Sequence, residues 1–152
     1  MNNIKRKLNI LKKRKIDKKL DSFFGWVKGA ELVELKSCNI TEDPVRPELD
    51  IIFRRSYGRK IFGVKYNKEI CAIMCFGFTE QIPTTVKELD LMTRDAYLKS
   101  AQRDQNIGQI AIAYTIWSKK RGGGKLIVKE VFKMIKKSNH LNRLITLSPL
   151  TE

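Results

Sequence analysis

The run Trp117-Ser-Lys-Lys-Arg-Gly-Gly-Gly-Lys125 gathers the residue types best suited to holding an anionic ligand. Three consecutive glycines permit positive φ and let backbone N–H groups come close to a bound group. The run separates a β-branched and aromatic stretch, residues 110–117, from an amphipathic stretch that begins at Lys125. A helix starting there turns unpaired amides and the positive end of its dipole toward the turn. Lys119, Lys120, Arg121 and Lys125 add formal charge, so the chemistry on offer is the binding of a phosphate or pyrophosphate. A flexible turn carrying solvated lysines is the other reading of the same residues. The loop is not a Walker A loop, because the second glycine and the Lys-Ser/Thr spacing are missing. Nor is it the dinucleotide fingerprint, which needs a third, spaced glycine.

Several elements must place that turn. Residues 110–117 read as a central strand. Residues 125–138 read as a helix, with Leu126, Ile127, Val131, Met134 and Ile135 inward and Lys129, Lys133, Lys136 and Lys137 largely outward. Residues 143–147 form a last strand, stopped by Pro149. Strand, turn, helix and strand make one βαβ unit, expected to have parallel strands and a right-handed crossover. Upstream, residues 60–66 and 69–78 form a hairpin about Asn67-Lys68, and the near-continuous apolar second strand belongs in the middle of a sheet. Residues 31–40 alternate as a strand, Pro44 and Pro47 mark a loop, and 50–55 fits either a short strand or a helix end. Thr85-Val-Lys-Glu88 has the spacing of a capping box and predicts a helix over 86–101, before Asn106-Ile-Gly108 breaks the pattern. The fold class is therefore α/β (α+β): a mixed, mostly antiparallel central sheet with flanking helices and one βαβ unit at the C-terminal end.

Composition narrows the function classes. The chain has 152 residues, 42% of them apolar, and 31 Lys plus Arg against 16 Asp plus Glu, for a net charge of +15. That suffices for one domain with a real core and excludes disorder of the whole chain. No stretch approaches the roughly 18 apolar residues of a membrane span, and the N-terminus lacks the apolar run of a signal peptide. Cys38, Cys71 and Cys75, an odd number, read as reduced thiols in apolar surroundings in a cytoplasmic protein. Cys71 and Cys75, four apart, would face one side of a strand; the single His140 is distant, so no metal site is expected. His140 itself reads as a loop or cap residue, and Trp26 and Phe23-Phe24 as core.

Residues 1–20 hold nine basic residues against one acid. Ile4, Leu8, Leu11, Ile16, Leu20, Phe23 and Val27 recur at helical steps over residues 4–27, with Gly25 or Gly29 as the stop. Residues 1–28 are therefore a basic amphipathic helical segment ahead of a domain over 29–152. Three uses of residues 4–19 stay open: a helix docked on the domain, a nucleic-acid contact driven by counterion release, or an anionic membrane surface. Lys outnumbers Arg 21 to 10, and no zinc-finger spacing or RNP-type motif is present, so nothing indicates sequence-specific reading. A small basic nucleic-acid-binding protein is one function class; an enzyme with a phosphate-bearing ligand is the other.

For the second class there is a family likeness. The chain resembles the GNAT superfamily of acyl-CoA N-acyltransferases, whose pyrophosphate loop reads Gln/Arg-x-x-Gly-x-Gly/Ala after a central strand and opens a helix. Lys119-Lys-Arg-Gly122-Gly-Gly124 fits that frame with Lys in the first place, and Lys125-Leu-Ile resembles the start of the family's CoA-binding helix. The hairpin and the two later strands come in the family's order, so the resemblance covers roughly residues 50–150, with 85–108 as a helical insertion. It implies acetyl-CoA or another acyl-CoA as co-substrate, an unknown primary amine as acceptor, N-acetyltransferase activity and no metal. Arg121, Gly122, Gly123, Gly124 and Lys125 would cradle the pyrophosphate beside Lys119, and the strand edge near Ile116 and Trp117 would pair with the pantetheine arm. The central strand lacks the family's frequent acidic base, which leaves Glu80 and Tyr114 as catalytic candidates. Family members continue past the last strand into a helix, often bearing the tyrosine that protonates the thiolate, and two more strands. The resemblance thus implies a domain without its C-terminal part. In such an enzyme, residues 4–19 would serve to reach an acidic partner.

Overall fold

The computed structural model describes residues 25–103 and 108–146. Residues 4–19, Leu147 and Pro149 lie outside them, as does most of the basic segment. The strands β1 (Glu31–Leu35), β2 (Lys60–Tyr66), β3 (Glu69–Thr79), β4 (Ile110–Ser118) and β5 (Arg143–Thr146) lie side by side in sequence order. The first three junctions are antiparallel and β4 to β5 is parallel. This is the mixed, mostly antiparallel α/β sheet expected from the sequence. The helices are α1 (Ile51–Arg55), α2 (Val86–Arg103) and α3 (Gly123–Lys137), with 3-10 turns at Gly25–Gly29 and Ile40–Glu42. Among these residues no helix is long and apolar enough to cross a membrane.

Alternation along the central strands divides the core between two faces. Ala72, Met74, Phe76, Ala111 and Ala113 pack with Leu126, Ile127, Val131 and Ile135 of α3. Ile73, Cys75, Ile112, Tyr114 and Trp117 pack on the opposite side with Leu89 of α2 and with Ile51 and Phe53 of α1. Val27, from the 3-10 turn, enters the α3 side, where Trp26 sets its ring edge-on to Tyr66 at 5.6 Å.

Several local expectations shift by a few residues. β1 stops at Leu35, five residues short of the expected end, because the chain turns there to lay Cys38 and Asp43 against the sheet. Residues 51–55 are helical, started by the Asp50 carboxylate, which accepts the amide of Phe53 at 2.8 Å. Thr85 accepts the amide of Glu88 as expected at 3.0 Å, but the Glu88 carboxylate reaches past it to the amide and hydroxyl of Thr84. α3 begins at Gly123, two residues before the expected start. Lys129 is buried rather than outward; it sits three residues from both Leu126 and Phe132, at the border of the apolar stripe, where a lysine stem can lie along the core. Asn67 and Lys68 both take positive φ, 50° and 68°, as the tight turn of the hairpin requires.

Two bulges interrupt the sheet. In β3 the pairing passes from Ala72 to Ile70 on consecutive β2 residues, leaving Cys71 as the extra residue. In β4 it passes from Thr115 to Ala113 opposite Cys75 and Phe76, leaving Tyr114 extra. A bulge turns consecutive side chains to one side. Accordingly Tyr114 joins the cluster that holds Cys75, and the Thr115 hydroxyl reaches Asp43 within the same layer.

Candidate functional site

The glycine turn is built onto the C-terminal end of β4. Ser118 closes the strand, its hydroxyl within hydrogen-bond reach of the Cys71 and Lys120 carbonyls and accepting the Lys120 amide at 3.2 Å. The amide of Lys119 donates to the Cys71 carbonyl at 2.8 Å, which ties the turn to the bulge of β3. Gly122 then takes φ 87° as the N-cap of α3, a conformation in which a side chain is strained. The Gly123 amide returns to the Lys120 carbonyl at 2.9 Å.

The three glycines have different jobs. A Cβ on Gly123 would lie 2.5 Å from Ser118 Oγ and 3.2 Å from both the Cys71 carbonyl oxygen and Ala72 Cβ, so the start of the helix is pressed against the sheet. A Cβ on Gly124 would meet only Ser118 Cβ, at 4.0 Å. Among the described residues, no hydrogen bond occupies the amides of Arg121, Gly122 and Gly124. They border an open hollow of about 440 Å³, lined by Ser118 to Gly122, Gly124 and Lys125. Unpaired amides at a helix start favour an anion by about 0.3–1 kcal/mol at an exposed site, before any formal charge is counted.

The cations around the hollow are not equivalent. Lys119 is engaged by Glu42 at 2.9 Å. Lys120 places its ammonium 5.4 Å from the ring centres of both Trp26 and Tyr66, a cation–π shelf. Arg121 is exposed and makes no ion pair among the described residues, and Lys125 is exposed on the first turn of α3. Arg121 is thus the cation most available to a ligand.

The edge of β4 leads directly into this hollow. β5 pairs only with Ile110, Ala111, Ile112 and Ala113. From the Tyr114 bulge to Ser118, β4 has no partner on that side among the described residues. The turn, the half-buried Ile116 and the buried Trp117 therefore adjoin one another at the end of a strand with an open edge.

Neither catalytic candidate is a free base. Glu80 follows the end of β3 that pairs with Ile110, at the opposite end of β4 from the glycine turn, and it is bound to Lys99 at 2.9 Å. Tyr114 is buried, and desolvation, with some help from Cys75, pushes its phenol well above the usual range despite the guanidinium groups of Arg54, Arg59 and Arg46. Among the described residues its hydroxyl has no hydrogen-bond partner, and neither does Trp117 Nε1.

Beneath the β4 edge lies a polar group that the sequence did not announce. Arg54 and Asp43, both fully buried side chains, pair at 2.8 Å. Arg54 also donates to the carbonyls of Leu49 and Arg46 at 2.8 Å each. Asp43 accepts further hydrogen bonds from the amides of Val45 and Arg46 and from the Thr115 hydroxyl. Arg46, bidentate to Asp90 at 2.7 and 2.9 Å, lies 5.7 Å from the Tyr114 ring centre. In the sequence Arg54 stands directly after the apolar Ile51, Ile52 and Phe53 and before Arg55.

No family model matches the chain, and no curated protein does either. Among solved structures it is similar to a malonyl-CoA decarboxylase from Cupriavidus metallidurans, with a TM-score of 0.56 and 20% sequence identity. The likeness covers 89% of this chain and 35% of that one, so this chain spans well under half the length of the protein it matches. At 20% identity the likeness is one of fold.

Proposed function

We propose that the chain binds an acyl-CoA at the glycine turn and acts as a GNAT-type N-acyltransferase domain, with acetyl-CoA as the default donor. The observation that carries this reading is the edge of β4, unpaired among the described residues from Tyr114 to Ser118, running into a hollow bordered by the amides of Arg121, Gly122 and Gly124, which no described residue occupies. Such an arrangement offers an anion site and, contiguous with it, a row of backbone groups for an extended amide-bearing arm. A CoA thioester has both parts, a pyrophosphate and a pantetheine with two amides. The structurally similar protein, named for malonyl-CoA, supports a CoA thioester as the ligand.

In this reading Arg121, Gly122, Gly123, Gly124 and Lys125 face the pyrophosphate, Lys119 and Lys120 hold the rim through Glu42 and the Trp26–Tyr66 shelf, and the backbone near Ile116 and Trp117 pairs with the pantetheine. Transfer is direct. The amine nitrogen bonds to the acyl carbon, the C–S bond breaks, and the thiolate leaves with the proton the amine gives up. Tyr114, held neutral by burial, suits donation of a hydrogen bond rather than removal of a proton. Glu80 stands at the other end of β4 from the glycine turn, where it is paired with Lys99.

Calorimetric titration with CoA and acetyl-CoA tests the ligand, and release of free thiol from acetyl-CoA in the presence of primary amines tests the reaction. Saturable heat with amine-dependent thiol release supports the whole reading. Heat without release supports the CoA site alone, and no heat at millimolar ligand removes both.

A further inference from the structure

Of the lysines on α3, the CoA reading calls only on Lys125. The helix carries Lys125, Lys129, Lys133, Lys136 and Lys137 against a single acid, Glu130. Lys125, Lys129, Lys133 and Lys136 follow one another at steps of four, four and three, so they share one side of the helix, with Lys137 beside them. Lys125, Lys133, Lys136 and Lys137 are exposed, and Lys129 is the buried member of the row. At about 1.5 Å per residue, the row from Lys125 to Lys136 is about 16 Å long. Its first member lines the glycine hollow, where the exposed Lys120 and Arg121 extend the charge. The outer members are lightly held. Glu130 reaches Lys133 at 3.6 Å, a long surface pair that adds little, and Lys136 lies 5.5 Å from the ring centre of Phe132.

The other side of the sheet is different. There α2 carries four cations against three acids, with Arg94 paired to Asp95 at 3.2 Å and Lys99 to Glu80 at 2.9 Å. The large apolar side chains left exposed among the described residues are Ile52, Tyr57, Leu91, Tyr97 and Leu98. All belong to α1, the turn after it, or α2, and none to α3.

We propose that the lysine row of α3, with Lys120 and Arg121 at its N-terminal end, is a contact surface for the phosphate backbone of a nucleic acid. Cations set along a polyanion gain by releasing its condensed counterions. A duplex carries one charge for about every 1.7 Å of axis, so a row of this length meets phosphates in any register. Lysine is a point charge and α3 has no arginine, so the surface holds the backbone without reading bases. A lipid surface would call for exposed apolar residues beside the charge, and those lie on the other face. An acidic peptide would need carboxylates at matching steps, whereas the phosphates of a duplex are continuous. The surface does not depend on the CoA reading, because Lys133, Lys136 and Lys137 lie beyond the lining of the hollow. Nor does it depend on residues 1–20, whose nine basic residues lie outside the described ones.

The test follows a labelled mixed-sequence DNA duplex binding to the full chain by fluorescence anisotropy, between about 50 and 200 mM salt. Two triple variants are compared with the parent. One carries Lys133→Gln, Lys136→Gln and Lys137→Gln on α3; the other carries Lys87→Gln, Arg94→Gln and Lys99→Gln on α2. Each removes three positive charges from exposed positions and leaves residues 1–20 intact. The α3 variant is expected to bind at least about tenfold more weakly, with a log–log salt slope smaller by about 3, and the α2 variant to stay within about twofold of the parent. Melting curves check that each variant is folded. Should the α3 triple unfold, Lys133→Gln alone carries the test, with a slope smaller by about 1. The proposal is overturned by no binding at about 50 mM salt, by an α3 variant that binds as the parent does, or by equal losses in the two triples. Preference for phosphatidylserine vesicles or for poly-glutamate over the duplex overturns it as well.

Discussion

The hydroxyl of Thr115 donates to the carboxylate of Asp43 at 2.7 Å, joining the open-edged part of β4 to a loop 72 residues earlier in the chain. The other carboxylate oxygen of Asp43 takes Arg54 at 2.8 Å, so β4, the 39–46 loop and α1 meet at one buried carboxylate. Removing that charge leaves Arg54 buried without its partner, the costly way to break a buried pair. Asp43→Asn is expected to lose about 3–5 kcal/mol of stability. Thr115→Val, which deletes one hydrogen bond to a charged group, is expected to lose about 1.5–3 kcal/mol. Denaturant unfolding of both variants beside the parent measures each loss; values near zero would mean that the group is not formed.

The same carboxylate predicts an acid response. Burial alone would raise the Asp43 carboxyl, but hydrogen bonds from Thr115, from the amides of Val45 and Arg46 and from Arg54 outweigh it, and the group ends below its ordinary value. A depressed folded pKa gives stability that is complete above the unfolded value, about 3.9, and lost as pH falls through the folded one. The parent chain is expected to lose stability across that acid window more steeply than Asp43→Asn, which cannot titrate there. Thermal melts between neutral pH and the acid limit compare the two slopes; parallel curves would contradict the assignment.

The glycines of the turn should respond unequally to alanine. Gly122→Ala meets the positive φ and is expected to cost about 1–2 kcal/mol. Gly123→Ala must displace Ser118 or the bulge of β3 and is expected to lower both the melting temperature and CoA affinity. Gly124→Ala meets no atom nearer than Ser118 Cβ at 4.0 Å and is expected to keep the melting temperature within error. Melting curves and calorimetry on the three variants give the order, and equal losses at Gly123 and Gly124 would count against the packing described.

Tyr114 carries a buried hydroxyl without a partner among the described residues. Such a group costs free energy to bury, so Tyr114→Phe is expected to raise stability by about 1 kcal/mol and leave CoA affinity unchanged. A fall in stability would show that the hydroxyl has a partner in solution.

Much of this arrangement is legible in the chain because it rests on local pattern. The apolar runs at 60–66, 69–78 and 110–117 become central strands, and the Asn67-Lys68 turn and the order of elements follow from nearest-neighbour signals. The glycine turn could be read because conformational freedom, helix start and charge coincide in nine residues. The Asp43–Arg54–Thr115 group could not, since its members lie 11 and 72 residues apart and carry no shared spacing. The Tyr114 bulge is likewise a property of pairing between strands, and it is what sends Tyr114 and Thr115 to the same side. Lys119 was legible as a cation at the loop, but its engagement by Glu42 depends on how the 39–46 loop folds back.

The central claim is that the glycine turn binds the pyrophosphate of a CoA thioester. Isothermal titration of the full chain with acetyl-CoA, repeated on Arg121→Glu and Gly122→Asp, tests it most directly. The account predicts saturable one-site binding by the parent, at least about tenfold weaker binding for Arg121→Glu, equal to about 1.4 kcal/mol, and no measurable binding for Gly122→Asp with the fold retained. Unchanged affinity in both variants, or no heat from the parent at millimolar acetyl-CoA, would contradict it.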